Sequence, residues 1–167
     1  MNRKTGKIVI SALMAALICV ATMIVKIPSP MKGYLNLGDG FVLIAAWILS
    51  PVYGFLAAGI GSALADLFSG YIIYAPATFV IKGLMALVAF FCFKALYRKK
   101  AELPARIVGS LLAEIVMVLG YYVFEGFLYG FVPAAVNILP NAVQGAAGII
   151  VAITLIKTFE KIHFRDQ

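Results

Sequence analysis

Residues 41–67 read FVLIAAWILSPVYGFLAAGIGSALADL. This apolar stretch is interrupted once, at Ser50-Pro51, and the fold turns on whether it is one long span or two. The whole chain is built in the same way. It has 167 residues, of which 63% are apolar and only 13% charged, and its mean hydropathy is +1.03. A water-soluble domain carries about 45–50% apolar and about 25% charged residues. A disordered chain needs low hydrophobicity and high charge. A small disulfide scaffold needs more than Cys19 and Cys92, which both lie inside apolar runs. What remains is an integral membrane protein. At roughly 20 residues per helical span, six spans use about 120 residues and leave too little for a nucleotide-binding domain. Any ATP-driven step therefore belongs to a partner chain.

Working outward, the other apolar runs are Ile8–Val25, Pro76–Leu96, Ile107–Phe124 and Val136–Ile156. The first is long for a signal peptide and is followed by Lys-Ile-Pro rather than a cleavage site, so it reads as a retained span. The charges then decide the reading of 41–67. If it were a single span, the basic loop Lys94, Arg98, Lys99, Lys100 and Arg106 would lie across the membrane from the basic N-terminus (Arg3, Lys4, Lys7), against the positive-inside rule. A turn at Ser50-Pro51 gives six crossings and puts both termini and that loop inside, with Lys157, Lys161 and Arg165. Eleven of the 14 Lys and Arg then face the cytoplasm. The net charge of +7 is thus a topology signal and does not point to nucleic acid. The expectation is an all-α membrane protein, a compact six-helix bundle with cytoplasmic termini and spans near 8–25, 37–50, 52–68, 77–97, 106–124 and 136–157, in a single membrane domain. Small residues crowd the third span (Gly54, Ala58, Gly59, Gly61, Ser62, Ala63, Ala65) and the sixth (Gly145, Ala146, Ala147, Gly148, Ala152), where they allow close helix approach.

The polar residues are distributed unevenly. Asp39 opens the second span on the outer side, Asp66 closes the third, and Lys82 lies about two turns into the fourth. Glu125 ends the fifth. Asn137, Asn141 and Gln144 share the outer part of the sixth by helical spacing. Asn36, Tyr71 and Tyr74 fall in outer loops. The inner halves are mostly apolar, apart from Glu114, which is expected to pair with another helix or reach the inner interface. A channel needs polar groups throughout; a pocket closed at the bottom needs them only at the top. Each residue also has a structural alternative. Asp39 and Asp66 are equally suited to flanking helix ends, and Lys82 to snorkelling or bridging to either aspartate. Glu125 is equally suited to an interfacial position. Tyr121, Tyr122, Phe124, Phe127, Tyr129 and Phe131 suit an aromatic belt or a pocket wall. His163 lies in the tail. The cysteines lack metal-ligand spacing, and no catalytic or phosphate-binding motif is present. The chain is therefore read as a non-enzyme with no cofactor and no metal.

Three ordered motifs carry a resemblance. Tyr34-Leu-Asn-Leu-Gly-Asp-Gly40 leads into the second span. Gly59-Ile-Gly-Ser-Ala-Leu-Ala-Asp-Leu67 is followed by Ser69-Gly-Tyr-Ile-Ile-Tyr-Ala-Pro76, and the fourth span opens Thr78-Phe-Val-Ile-Lys-Gly83. Over nearly its whole length the chain resembles the substrate-binding S components of energy-coupling-factor (ECF) vitamin transporters, in the riboflavin-type group that includes hydroxymethylpyrimidine and pyridoxine members. The resemblance implies a subunit of the bacterial cell membrane that captures a vitamin from outside, beneath a lid formed by 26–40, 69–76 and 125–135. It also implies a transmembrane coupling subunit and two ATPase subunits as partners. Gly33, Gly38, Gly40, Gly70, Gly126 and Gly130 are expected to give the lid its freedom. Ala12 and Ala16, with Ser11 and Ala15 beside them, match the family's Ala-x-x-x-Ala docking pair. The candidate ligand residues are Asn36, Asp39, Asp66, Tyr74, Lys82, Glu125, Asn137, Asn141 and Gln144. Their mixed chemistry suits a small pyridoxine- or hydroxymethylpyrimidine-like heterocycle, with riboflavin the larger alternative. The competing readings are a homo-oligomeric carrier or channel for a small polar solute, and a membrane enzyme or scaffold.

Overall fold

The computed structural model describes residues 3–29, 33–98 and 101–165, with side chains given through residue 158 from Lys4 onward. Lys32, Lys99 and Lys100, and the side chains of Arg3, Lys161, His163 and Arg165, lie outside this description. The chain is all-helical apart from one short hairpin. The order is α1 (Arg3–Ile24), β1 (Ile27–Pro28), β2 (Tyr34–Leu35), α2 (Gly38–Ile48), α3 (Pro51–Phe68), α4 (Ala75–Leu96), α5 (Glu102–Tyr129), α6 (Phe131–Ala134), a 3-10 turn (Ala135–Asn137) and α7 (Ile138–Arg165). Five of these helices are long and apolar enough to cross a membrane.

The decisive stretch is a helical hairpin. Ser50 is extended, and Pro51 begins α3 at the position where its missing N–H costs nothing. The Gly54 N–H bonds back to the Ser50 carbonyl at 2.8 Å and closes the first turn. The glycines of α3 sit where neighbouring helices come closest. A Cβ on Gly61 would lie 2.5 Å from the Ala15 carbonyl oxygen of α1, and one on Gly59 2.7 Å from the Phe79 carbonyl oxygen of α4. Small residues are thus needed for the α1–α3 and α3–α4 packing.

α2 is the exception in length. Its 11 residues extend about 16 Å, short of the roughly 30 Å hydrocarbon layer. It is also the most enclosed helix, packed against α1, α3, α4 and α7, with Val42, Leu43, Ala45 and Ala46 at most 1% exposed. It starts deep, because its second residue, Asp39, meets Lys82, which is seven residues into α4 and so about 10 Å below that helix's N-terminus. It ends near the opposite face, where Trp47 packs on Phe93 and lies under the Arg106 guanidinium at 5.2 Å. Residues 36 and 37 lead from the hairpin into the start of α2. Several expected loop positions are helical. Gly38 and Gly40 belong to α2 and residues 125–129 to α5, so of the six lid glycines only Gly70 and Gly130 have positive φ, at 84° and 93°. Gly38 is instead set by contact: a Cβ there would fall 2.0 Å from Thr22 Oγ1.

Candidate functional site

The polar residues of seven elements converge at the hairpin end of the bundle, in three tiers. The deepest is a chain. Lys82 pairs with Asp39 Oδ1, both essentially sealed from solvent. Gln144 Nε2 donates to Asp39 Oδ2 at 2.7 Å, and its Oε1 accepts from the Asn36 backbone N–H at 2.9 Å and from Asn36 Nδ2 at 3.3 Å. Asn36 Oδ1 in turn accepts the Gly38 N–H at 2.9 Å. This chain explains how non-helical backbone survives at membrane depth. Lipid offers no partner, so side chains must supply the bonds. It also fixes the Gln144 amide: only one orientation donates to the carboxylate and accepts from the main chain.

In the middle tier, Tyr34 donates its hydroxyl to Asp66 Oδ1 at 2.7 Å, and Thr78 Oγ1 bonds to the Tyr121 hydroxyl at 3.0 Å. Burial, with the Asp66 carboxylate beside it, holds the Tyr34 phenol far above its ordinary pKa, so it remains a donor. Asp66 Oδ2 is buried, with Thr78 beside the carboxylate. The end of α3 sets this geometry. Gly70 takes the left-handed conformation, Tyr71 N–H bonds to the Asp66 carbonyl at 2.8 Å, and Gly70 N–H bonds to Leu67 at 3.2 Å. This Schellman arrangement folds Tyr71, five residues on, back against the aspartate's main chain. Its ring lies 4.7 Å from that of Tyr34.

The upper tier joins α5 to the 3-10 turn. Asn137 Nδ2 donates to both oxygens of Glu125 at 2.9 Å, and the Tyr74 hydroxyl donates to Glu125 Oε1 at 3.3 Å. Aromatic rings run continuously across the top, from Tyr34 through Tyr71 and Tyr74 to Phe124.

These tiers enclose a cavity of ≈ 40 Å³ lined by Ser29, Gly33, Tyr34, Asn36, Asp66, Tyr71, Tyr74, Thr78, Tyr121, Glu125, Asn141 and Gln144. Six of the nine expected ligand residues are on its wall: Asn36, Asp66, Tyr74, Glu125, Asn141 and Gln144. Asp39, Lys82 and Asn137 are not on the wall: Asp39 bonds to the wall residue Gln144, Asn137 to Glu125, and the Lys82 ammonium lies 5.5 Å from the Tyr121 ring centroid. Tyr34, Thr78 and Tyr121 were absent from the expected set, yet helical spacing pointed to two of them. Thr78 lies one turn before Lys82, and Tyr121 one turn before Glu125. The aromatic cluster divides. Tyr121 and Phe124 face the site, whereas Phe127 is 78% exposed and packs edge-on to Phe131. On the bundle's flank, Ala12 and Ala16 are exposed and line an apolar groove between α1 and α3, with Tyr53, Leu56 and Ile60 opposite.

Comparison with known proteins places this architecture. A family model described as the ECF-type riboflavin transporter S component matches residues 2–161. The chain belongs to that family: it is a multi-pass membrane protein and the substrate-binding component of an ECF transporter. It is similar to a protein from Pyrococcus woesei described as an uncharacterized protein in gap 3'region, with 39% identity over 136 residues, covering 80% of this chain and 88% of that one. Among solved structures it superposes on the S component of a bacterial ECF transporter with a TM-score of 0.75 and 24% identity, covering 96% of this chain and 98% of that one. At that identity the likeness concerns the fold.

Proposed function

We propose that this S component captures a small heterocyclic vitamin, of the pyridoxine or hydroxymethylpyrimidine kind, in the cavity beneath Tyr34 and Tyr71. The observation that carries the reading is the cavity wall. Tyrosine rings line a small cavity, and hydroxyl, amide and carboxylate groups from six segments converge on it. Binding sites of this type combine flat apolar walls with a few convergent polar groups. Entry requires Tyr34 and Tyr71 to move, which suits a lid made of the hairpin and the α3–α4 turn. The hydrogen-bonded polar network ends at Asp39 and Lys82. Beyond them lie Val42, Leu43, Met85 and Ala89, each fully buried, a plug that supports a binding subunit over a channel.

In this reading the hairpin end faces outward, as the basic residues require. The exposed Ala12–Ala16 strip receives a transmembrane coupling subunit, which connects the chain to two ATPases. The test is to purify the protein in detergent, identify any co-purified small molecule by mass spectrometry, and titrate pyridoxine, hydroxymethylpyrimidine and riboflavin. The expected result is a dissociation constant below about 1 μM, or roughly −8 kcal/mol, for one of the two smaller vitamins. Tighter binding of riboflavin would overturn the substrate assignment. Failure of every water-soluble vitamin would overturn the binding reading.

A further inference from the structure

Glu114 belongs neither to the cavity wall nor to the ion pair. It lies midway along α5, 6% exposed, and neither carboxyl oxygen has a hydrogen-bond partner among the described residues. Its carboxyl rests on a glycine face of α7. A Cβ on Gly145 would lie 2.8 Å from Oε2, and one on Gly148 3.3 Å from Oε1. The two glycines therefore make room for an acid as well as for helix packing. That same Cβ on Gly148 would lie 2.8 Å from Asp39 Cβ, so Gly148 alone separates Glu114 from the floor of the ligand site. On its other side Glu114 borders a groove of ≈ 400 Å³ between α5 and α7, otherwise lined by apolar side chains such as Leu111, Ile115, Leu119, Ala142 and Ala146. Leu111, Ile115 and Leu119 are each more than half exposed on the flank of the bundle, so the groove faces the bilayer.

An unpartnered carboxylate at this depth is not tolerated; it takes a cation, a donor or a proton. The charged groups facing it are Asp39 from α2 and Lys82 from α4, and α7 contributes none. Lys82 is already paired with Asp39, so two carboxyl groups share one cation. The apolar groove excludes hydrated ions but passes neutral acids. We propose that Glu114 is an intramembrane proton-binding site bordering the bilayer, and that its protonation keeps Lys82 committed to Asp39. An ionised Glu114 would compete for Lys82 and repel Asp39. Gln144 and Asn36 would then lose the anchor that places them on the cavity wall. Ligand affinity is thereby linked to the proton, a link that rests on the binding reading above, whereas the proton site itself does not.

The experiment uses the full chain in lipid vesicles, treated with dicyclohexylcarbodiimide, a membrane-soluble reagent that adds to protonated carboxyl groups. Adducts are located by peptide mass spectrometry, with a water-soluble carbodiimide in parallel. The expected adduct is at Glu114, persists at about pH 7 where ordinary surface carboxyls are ionised, declines at higher pH, and is absent in Glu114→Gln. No adduct at Glu114, or equal modification by the water-soluble reagent, overturns the proton site. Vitamin titrations over the same pH range test the link. Wild-type affinity is expected to fall as pH rises while Glu114→Gln stays flat, and parallel profiles overturn the link. If no vitamin binds either protein, the binding reading fails, and the labelling result still decides the proton site.

Discussion

At the residue scale, Asp66 and Lys82 are both buried and charged but do different work. Asp66 is on the cavity wall, with one oxygen engaged by Tyr34. Replacing Tyr34 with Phe removes one donor and leaves the ring. Vitamin affinity is expected to drop about tenfold, equivalent to about 1.4 kcal/mol, and the melting temperature to fall as well, because the buried Asp66 carboxylate loses its Tyr34 donor at a cost of about 1–3 kcal/mol. Titration calorimetry and a melting curve check both. Lys82 stands behind the wall and neutralises Asp39. Lys82→Ala leaves a buried carboxylate unpaired, which costs about 3–5 kcal/mol when one partner of a buried pair is removed. The melting temperature is therefore expected to fall together with affinity, and Asp39→Asn added to Lys82→Ala should recover part of the stability. If the double variant melts no higher than Lys82→Ala, the ion pair is not what the loss reports. Asn141→Ala, on the wall, should weaken binding alone.

At the element scale, the sequence exposed some features and concealed others. Ser50-Pro51 showed the α2–α3 hairpin because proline fixes a helix start whatever surrounds it. Concealed was the depth at which α2 begins. That depends on the Asp39–Lys82 and Gln144–Asn36 contacts between segments far apart in the chain, and no local periodicity encodes them. For the same reason Gly38 and Gly40 looked like lid residues, although each sits inside a helix against a neighbour. The nine site residues were legible as types and depths, since polar groups in hydrocarbon stand out. Which of them reach the cavity and which stand behind it was not, because the answer turns on which helix face meets which. Two predictions belong at this scale. Gly70→Ala forces a side chain into left-handed backbone and should cost about 1 kcal/mol, while shifting Tyr71 and weakening binding. Ala12→Leu or Ala16→Leu adds bulk to the exposed α1–α3 groove, so binding by the isolated subunit should be unchanged and ATP-driven uptake abolished. Normal uptake by both alanine variants would show that the coupling subunit docks elsewhere.

At the scale of the whole molecule, the hydrogen-bonded network between helices gathers at one end, and the other end is closed by Arg106 stacked on Trp47 and Phe93 and paired with Glu102 at 2.6 Å. In the reading proposed above, the basic residues put the hairpin end outside. With Cys19 and Cys92 replaced, a cysteine at Ser29 should react with a membrane-impermeant maleimide in intact cells, and one at Arg98 only after permeabilisation. The reverse pattern would invert the topology and with it the direction of capture.

The brevity of α2 bears on how the protein is made. A segment of 11 residues that carries an aspartate in its first turn is too short and too polar to partition from the translocon unaided. Its entry into the bilayer depends on α3, joined to it through Ser50-Pro51, and Asp39 acquires its countercharge only after α4 has been synthesised. Gln144, on α7, arrives later still. The site is therefore assembled at the end of biogenesis, from helices already inserted. A chain truncated before α7 is expected to be membrane-integrated yet protease-sensitive between α1 and α3, which pulse-labelled insertion intermediates would reveal.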